Sequence, residues 1–93
     1  MAETNWNAFI DQTNHRMAEL RKAMPEQAKG LGQLAQAAIA PGVLDSKTKE
    51  LIALAIGITA RCDGCLAFHA KAAHHYGATR EEIVETIGVA VYM

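Results

Sequence analysis

Leu51-Ile52-Ala53-Leu54-Ala55-Ile56-Gly57-Ile58-Thr59-Ala60 runs directly into Arg61-Cys62-Asp63-Gly64-Cys65-Leu66-Ala67-Phe68-His69. The first stretch is apolar on every side of a helical wheel, which predicts a helix buried all round. It is far too short to span a bilayer. Gly57 within it predicts the close approach of another helix. Arg61 to Gly64 forms a corner, and the helix that follows carries Cys62, Cys65 and His69 at i, i+3 and i+7. Those positions share one face, and the stripe continues through Ala72 and Tyr76.

Working outward, Asp45 or Ser46 is placed to cap the buried helix, which runs to about Ala60. Upstream, Trp6, Phe9, Ile10, Thr13, Met17, Leu20 and Met24 recur at steps of three and four. They predict an amphipathic helix over residues 5–23, with Thr4 as its candidate cap. Pro25 stops it and suits the first turn of a second helix, weakened in its first half by Gly30 and Gly32. Ala40-Pro41-Gly42 reads as a loop. Downstream, the cysteine-bearing helix ends at Tyr76-Gly77, with Gly77 as its C′ residue. Thr79-Arg80-Glu81-Glu82 reads as a capping box. It opens a fifth helix with Ile83, Val84, Ile87 and Val91 turned inward. That helix is still apolar at Met93, so either the chain is cut short there or its end packs against something else.

The expected fold is therefore all-α, about five helices in one domain over residues 1–93. Composition agrees, since 18 of the 93 residues are alanine and only 5% are aromatic, a balance that suits closely packed helices better than a sheet. A domain this small buries a modest fraction of its surface, so completion by oligomerisation is expected. Net charge is −1 with no basic block, which gives nucleic-acid or membrane-surface binding little support. Glu3 and Asp11 interrupt any apolar leader, so no signal peptide is read and a cytoplasmic location is the default.

In that setting two thiols in a CxxC pair point to redox or metal chemistry rather than to a structural staple. The charge of a helix N-terminus favours thiolate over thiol. A zinc site needs four good ligands. Cys62, Cys65 and His69 supply three, with His74, His75 or Glu50 as the candidate fourth. The plainest alternative is two small buried apolar side chains. His74 and His75 lie off the cysteine stripe and read as solvated residues near a helix C-terminus. His69, one turn beyond Cys65, is placed to accept its proton directly or through a water. Glu50 fits either helix-dipole compensation or a partly buried carboxylate on the Leu54–Gly57 face, which would need a hydrogen-bonded partner. Lys47 and Lys49 read as solvated surface.

Lys49-Glu50-Leu51-Ile52-Ala53-Leu54, then Arg61-Cys62-Asp63-Gly64-Cys65, then His69, resembles the alkylhydroperoxidase AhpD-like branch of the carboxymuconolactone decarboxylase family. The family's spacing of a glutamate, eleven residues, CxxC, three residues and a histidine is met by Glu50, Cys62, Cys65 and His69, and the resemblance covers residues 25–93. It implies an all-helical fold that associates into trimers or hexamers. It makes Cys65 the peroxide-attacking thiol, Cys62 the resolving thiol, and Glu50 with His69 the proton relay. No cofactor or metal is implied. The implied partners are a peroxide and a dithiol or lipoyl-type electron donor. Asp63 and Gly64 stand where some relatives carry a further histidine, and the negative Asp63 is expected to oppose thiolate formation. The decarboxylase branch lacks the CxxC pair, so the family's name does not itself imply the activity. The reading from another functional class is a non-catalytic metal-binding or structural oligomerisation domain.

Overall fold

A computed structural model describes residues 3–93. It contains five helices: α1 (Trp6–Ala23), α2 (Pro25–Ile39), α3 (Ser46–Thr59), α4 (Asp63–His75) and α5 (Arg80–Tyr92). No strand occurs among the described residues. The fold is all-α, as the sequence predicts. The chain falls into two compact units, one ending at Ala38 and the other spanning Ile39–Met93.

In the first unit, α1 is capped by Asn5 rather than Thr4, the Asn5 side chain accepting the Ala8 amide at 3.0 Å. Asparagine is the stronger capping residue of the two. Arg21 and Lys22 lie in its last turn, where cations suit the helix dipole. Met24 leaves the helical region because the ring of Pro25 disfavours it there, and Pro25 opens α2. Leu31 and Leu34 of α2 are each 67% exposed.

The second unit is built on α3, against which both α4 and α5 pack. Its buried positions are mostly small: Ser46, Gly57, Ala67, Ala73, Ala78 and Ala90, with Leu54 as the one large apolar side chain. Small residues let helix backbones come close, which is the structural use of the alanine-rich composition. Asp45 caps α3, accepting the Thr48 amide at 2.7 Å. That leaves the Ser46 hydroxyl to donate to the carbonyl of Ile39 at 2.9 Å.

Three expectations need correction. The buried helix is not buried all round: Ile52 is 46% and Ile56 63% exposed. Two helices cover only part of α3, and no third covers the remaining face within the unit. On α5, Val84, Ile87 and Val91 are exposed, while Ile83 is half-buried and Ala90 is the buried residue. Lys47 and Lys49 are half-buried rather than solvated. Lys47 pairs with Glu82 at 2.8 Å, tying the first turn of α3 to that of α5, and Lys49 donates to the carbonyl of Ala40 at 2.6 Å. The capping box at α5 forms as predicted, with Thr79 and Glu82 each accepting the other's amide.

Both turns in this unit follow one geometry. At the end of α4, Gly77 has φ +91°, its amide donates to His74, and the Ala78 amide donates to Ala73. This is a Schellman motif with glycine at its left-handed position. At the end of α3 the same pair of bonds recurs, Arg61 N–H to Ile58 and Cys62 N–H to Gly57, with Arg61 at φ +55°. A side chain in that conformation costs roughly 1 kcal/mol. The turn delivers Cys62 directly to the start of α4.

Candidate functional site

Glu50, Leu54 and Gly57 are all buried, and their spacing of four and three residues puts them on one stripe of α3. Cys65, His69 and Ala73 make the facing stripe of α4 at steps of four. The helices run antiparallel, so Glu50 meets His69 at one end and Gly57 meets Cys65 at the other. The carboxylate of Glu50, 5% exposed, accepts a hydrogen bond from Nδ1 of His69 at 2.7 Å. Glu50 is therefore the buried, partnered carboxylate rather than a solvated group at a helix start. A buried acid without such a contact would be costly. With Nδ1 committed to donation, Nε2 is the ring nitrogen left to exchange a proton. The His69 side chain is 34% exposed, so the pair joins a buried anchor to an accessible imidazole.

At the other end, both cysteines are free thiols of intermediate exposure. Cys62 is not on the helical stripe but is the N-cap of α4, and its sulfur accepts the Cys65 amide at 3.1 Å. It thus occupies the place that Ser, Thr, Asp or Asn ordinarily fills. Tyr76, read as the far end of the stripe, is the half-exposed C-cap. The capping contact separates the two thiols electrostatically. A hydrogen bond from the Cys65 thiol, then one from its amide, lowers the pKa of Cys62 below the ordinary thiol value. The negative charge of Asp63 opposes this and is outweighed. The same thiol contact, then burial and the Cys62 charge, raises the pKa of Cys65.

Among the described residues, no three His, Cys, Asp or Glu side chains converge to hold a metal ion. His74 and His75 are exposed in the last turn of α4, and His75 packs edge-on to Tyr76. Neither joins the Glu50–His69 pair. No helix in the described chain is long and apolar enough to cross a membrane.

Sequence reading misses three features of the site: the capping role of Cys62, the left-handed Arg61, and the contact of Gly57 with both cysteines. The sequence predicts that Gly57 admits a helix, but not which residue of that helix it admits. Cysteine is absent from the usual capping set and arginine from the usual left-handed set, so neither carries a signal of its role.

The model of the carboxymuconolactone decarboxylase family matches residues 25–93. Among solved structures, the apo form of a carboxymuconolactone decarboxylase family protein from Legionella pneumophila is similar, with a TM-score of 0.93 and 44% identity. The match covers 98% of this chain and 81% of that one. A Thermotoga maritima protein matches with a TM-score of 0.71 and 34% identity, covering 81% of this chain and 71% of its own. An uncharacterized protein of Cupriavidus necator is 30% identical over 97% of this chain and 80% of its own length. One from Haemophilus influenzae is 39% identical over 75% of this chain. The match spans only 62% of that protein's length.

Proposed function

The chain belongs to the carboxymuconolactone decarboxylase family, and we propose that within it the protein is an AhpD-like thiol peroxidase and disulfide reductase. The observation that carries this reading is the Glu50–His69 hydrogen bond, 2.7 Å long, with Cys65 one helical turn before the histidine. A buried carboxylate orienting an accessible imidazole is a proton relay, and a relay beside a dithiol is the equipment of cysteine redox chemistry.

In the reduced protein the Cys62 sulfur accepts from the Cys65 amide, a contact that favours its thiolate form. The proton of the Cys65 thiol passes to Cys62 or to the relay, giving a Cys65 thiolate. That thiolate attacks one oxygen of a hydroperoxide, the O–O bond breaks, and Cys65 becomes a sulfenic acid. The departing alkoxide takes a proton through His69 and leaves as the alcohol. Cys62 then attacks the sulfenic sulfur, water departs, and a Cys62–Cys65 disulfide forms. A dithiol donor, a lipoyl-type group by family resemblance, returns two electrons and two protons and becomes a disulfide itself. No metal or organic cofactor enters the cycle.

Peroxide consumption measured with a panel of dithiol donors tests the reading. Turnover with at least one dithiol is expected, with two thiols per chain lost on peroxide treatment and recovered on reduction. Constant thiol content in the presence of peroxide, with zinc bound to the same sample, would move the protein to the metal-binding class.

A further inference from the structure

Gly57 of α3 lies against both cysteines. Its carbonyl accepts the Cys62 amide at 3.0 Å, closing the turn out of α3. Its missing side chain leaves the space into which Cys65 fits. A Cβ at position 57 would lie 2.6 Å from the Cβ of Cys65, 3.5 Å from its carbonyl carbon and 3.6 Å from its Cα. The first distance is shorter than real Cβ contacts allow, and it falls on the rigid base of the side chain rather than on a flexible tip. Of the glycines, this is the one whose Cβ would strike a neighbour so closely: at Gly88, also within a helix, a Cβ would meet nothing within 4 Å.

The two contacts fix different ends of the dithiol. Cys62 hangs from the carbonyl through the left-handed turn at Arg61, and Cys65 is seated by the absence of a Cβ. We propose that Gly57 is the positioning residue of the dithiol, setting the reach between the two sulfurs and with it the reduction potential of their disulfide. The inference rests on the redox reading above and adds to it the residue that tunes the pair.

The direction of the effect follows from disulfide geometry. The two Cβ atoms of a disulfide lie about 3.5–4.5 Å apart, and departures strain the bond and make it easier to reduce. An alanine at position 57 must open its contact with Cys65 from 2.6 Å to at least 3.0 Å. Cys62 stays tethered to the carbonyl, so Cys65 moves relative to it by several tenths of an ångström, a sizeable part of the roughly 1 Å spread that disulfide Cβ separations tolerate. The strained disulfide becomes more oxidising.

The experiment equilibrates the full chain with glutathione buffers of graded ratio. Two reduced glutathiones give up two protons and two electrons to the protein disulfide and become oxidised glutathione, so the dithiol fraction yields the exchange constant. Gly57→Ala is expected to disfavour the protein disulfide about tenfold, a rise of about 30 mV. Gly88→Ala, with a similar gain in helix propensity, is expected to stay within twofold of wild type. Arg61→Val perturbs the other arm from an exposed position, because a β-branched residue resists the left-handed conformation. It is expected to move the constant threefold or more in the same direction, and it decides the matter if Gly57→Ala does not fold. A wild-type disulfide with a constant unmoved in the folded variants would overturn the role of Gly57 alone. A wild-type protein that forms no Cys62–Cys65 disulfide at any ratio would remove both this inference and the redox reading.

Discussion

The backbone amide of Cys65 donates to the sulfur of Cys62 at 3.1 Å, so one cysteine of the pair caps the helix that carries the other. The Cys65 thiol and then this amide lower the pKa of the Cys62 thiol below its ordinary value, while the relay stands one turn from Cys65.

Alkylation and peroxide should report these two facts separately. Iodoacetamide reads thiolate population, so in the reduced protein near pH 8 it should modify Cys62 faster than Cys65. The Cys62 rate should rise with a midpoint below the ordinary thiol value of 9.0. Mass spectrometry after a short pulse locates the label, and label found first on Cys65 would contradict the capping argument.

A brief peroxide pulse should instead select the thiol beside the base. Cys62→Ser is expected to yield a sulfenic acid on Cys65 that a dimedone-type probe traps. Cys65→Ser should lose the fast reaction and show little trapping on Cys62. General-base assistance is typically worth about 10²-fold or more, against a helix-dipole effect of about fivefold at most. Abundant probe on Cys62 of the Cys65→Ser protein would exchange the two roles.

Glu50→Gln and His69→Ala should differ in kind. In Glu50→Gln the new amide oxygen still accepts from Nδ1 of His69 but no longer stabilises a charged imidazole. That protein should fold while peroxide reduction slows by about 10²-fold. His69→Ala leaves the buried Glu50 without its partner, which should cost about 1–3 kcal/mol of stability as well as activity. Denaturant unfolding beside single-turnover kinetics separates the two. Equal activity of Glu50→Gln and wild type would return Glu50 to a structural role.

Acid should weaken the second unit through its caps. Lys47 first, then the Thr79 amide, holds Glu82 below its ordinary 4.5, and Thr48 holds Asp45 below 3.8. A lowered folded-state value means that the stabilisation is complete above the ordinary value and is lost as pH falls through the folded one. Thermal midpoints should hold on this account from pH 7 to about pH 5 and fall below about pH 4.5. Glu82→Gln should flatten that acid limb. An acid limb identical in Glu82→Gln and wild type would contradict the assignment.

The apolar faces left uncovered on α3 and α5 argue for association of identical chains. Ile52, Ile56, Val84, Val89 and Val91 are between 46% and 75% exposed. Large exposed apolar faces on a small protein often mark an interaction surface. A mass several times 10.0 kDa is expected by light scattering at micromolar concentration. A mass of 10.0 kDa would refute it.

Local rules were enough for the helices and for most of their ends. Pro25, Asp45, Gly77 and the Thr79–Glu82 box act through their own backbone and near neighbours, so spacing along the chain reveals them. Helical periodicity also placed Cys65 and His69 on one face, while the full pattern of Glu50, Cys62, Cys65 and His69 was legible only through the family resemblance. What the periodicity cannot supply is which face meets which. Only the antiparallel packing of α4 on α3 brings His69 to Glu50 across nineteen positions of chain and turns an ambiguous acid into a buried relay member. Only that packing makes Gly57 the seat of Cys65. The uncovered faces of Ile52, Ile56 and Val91 have the same origin. Hydrophobicity states that a residue favours burial, but the number of helices packed around it decides whether burial is achieved within the chain.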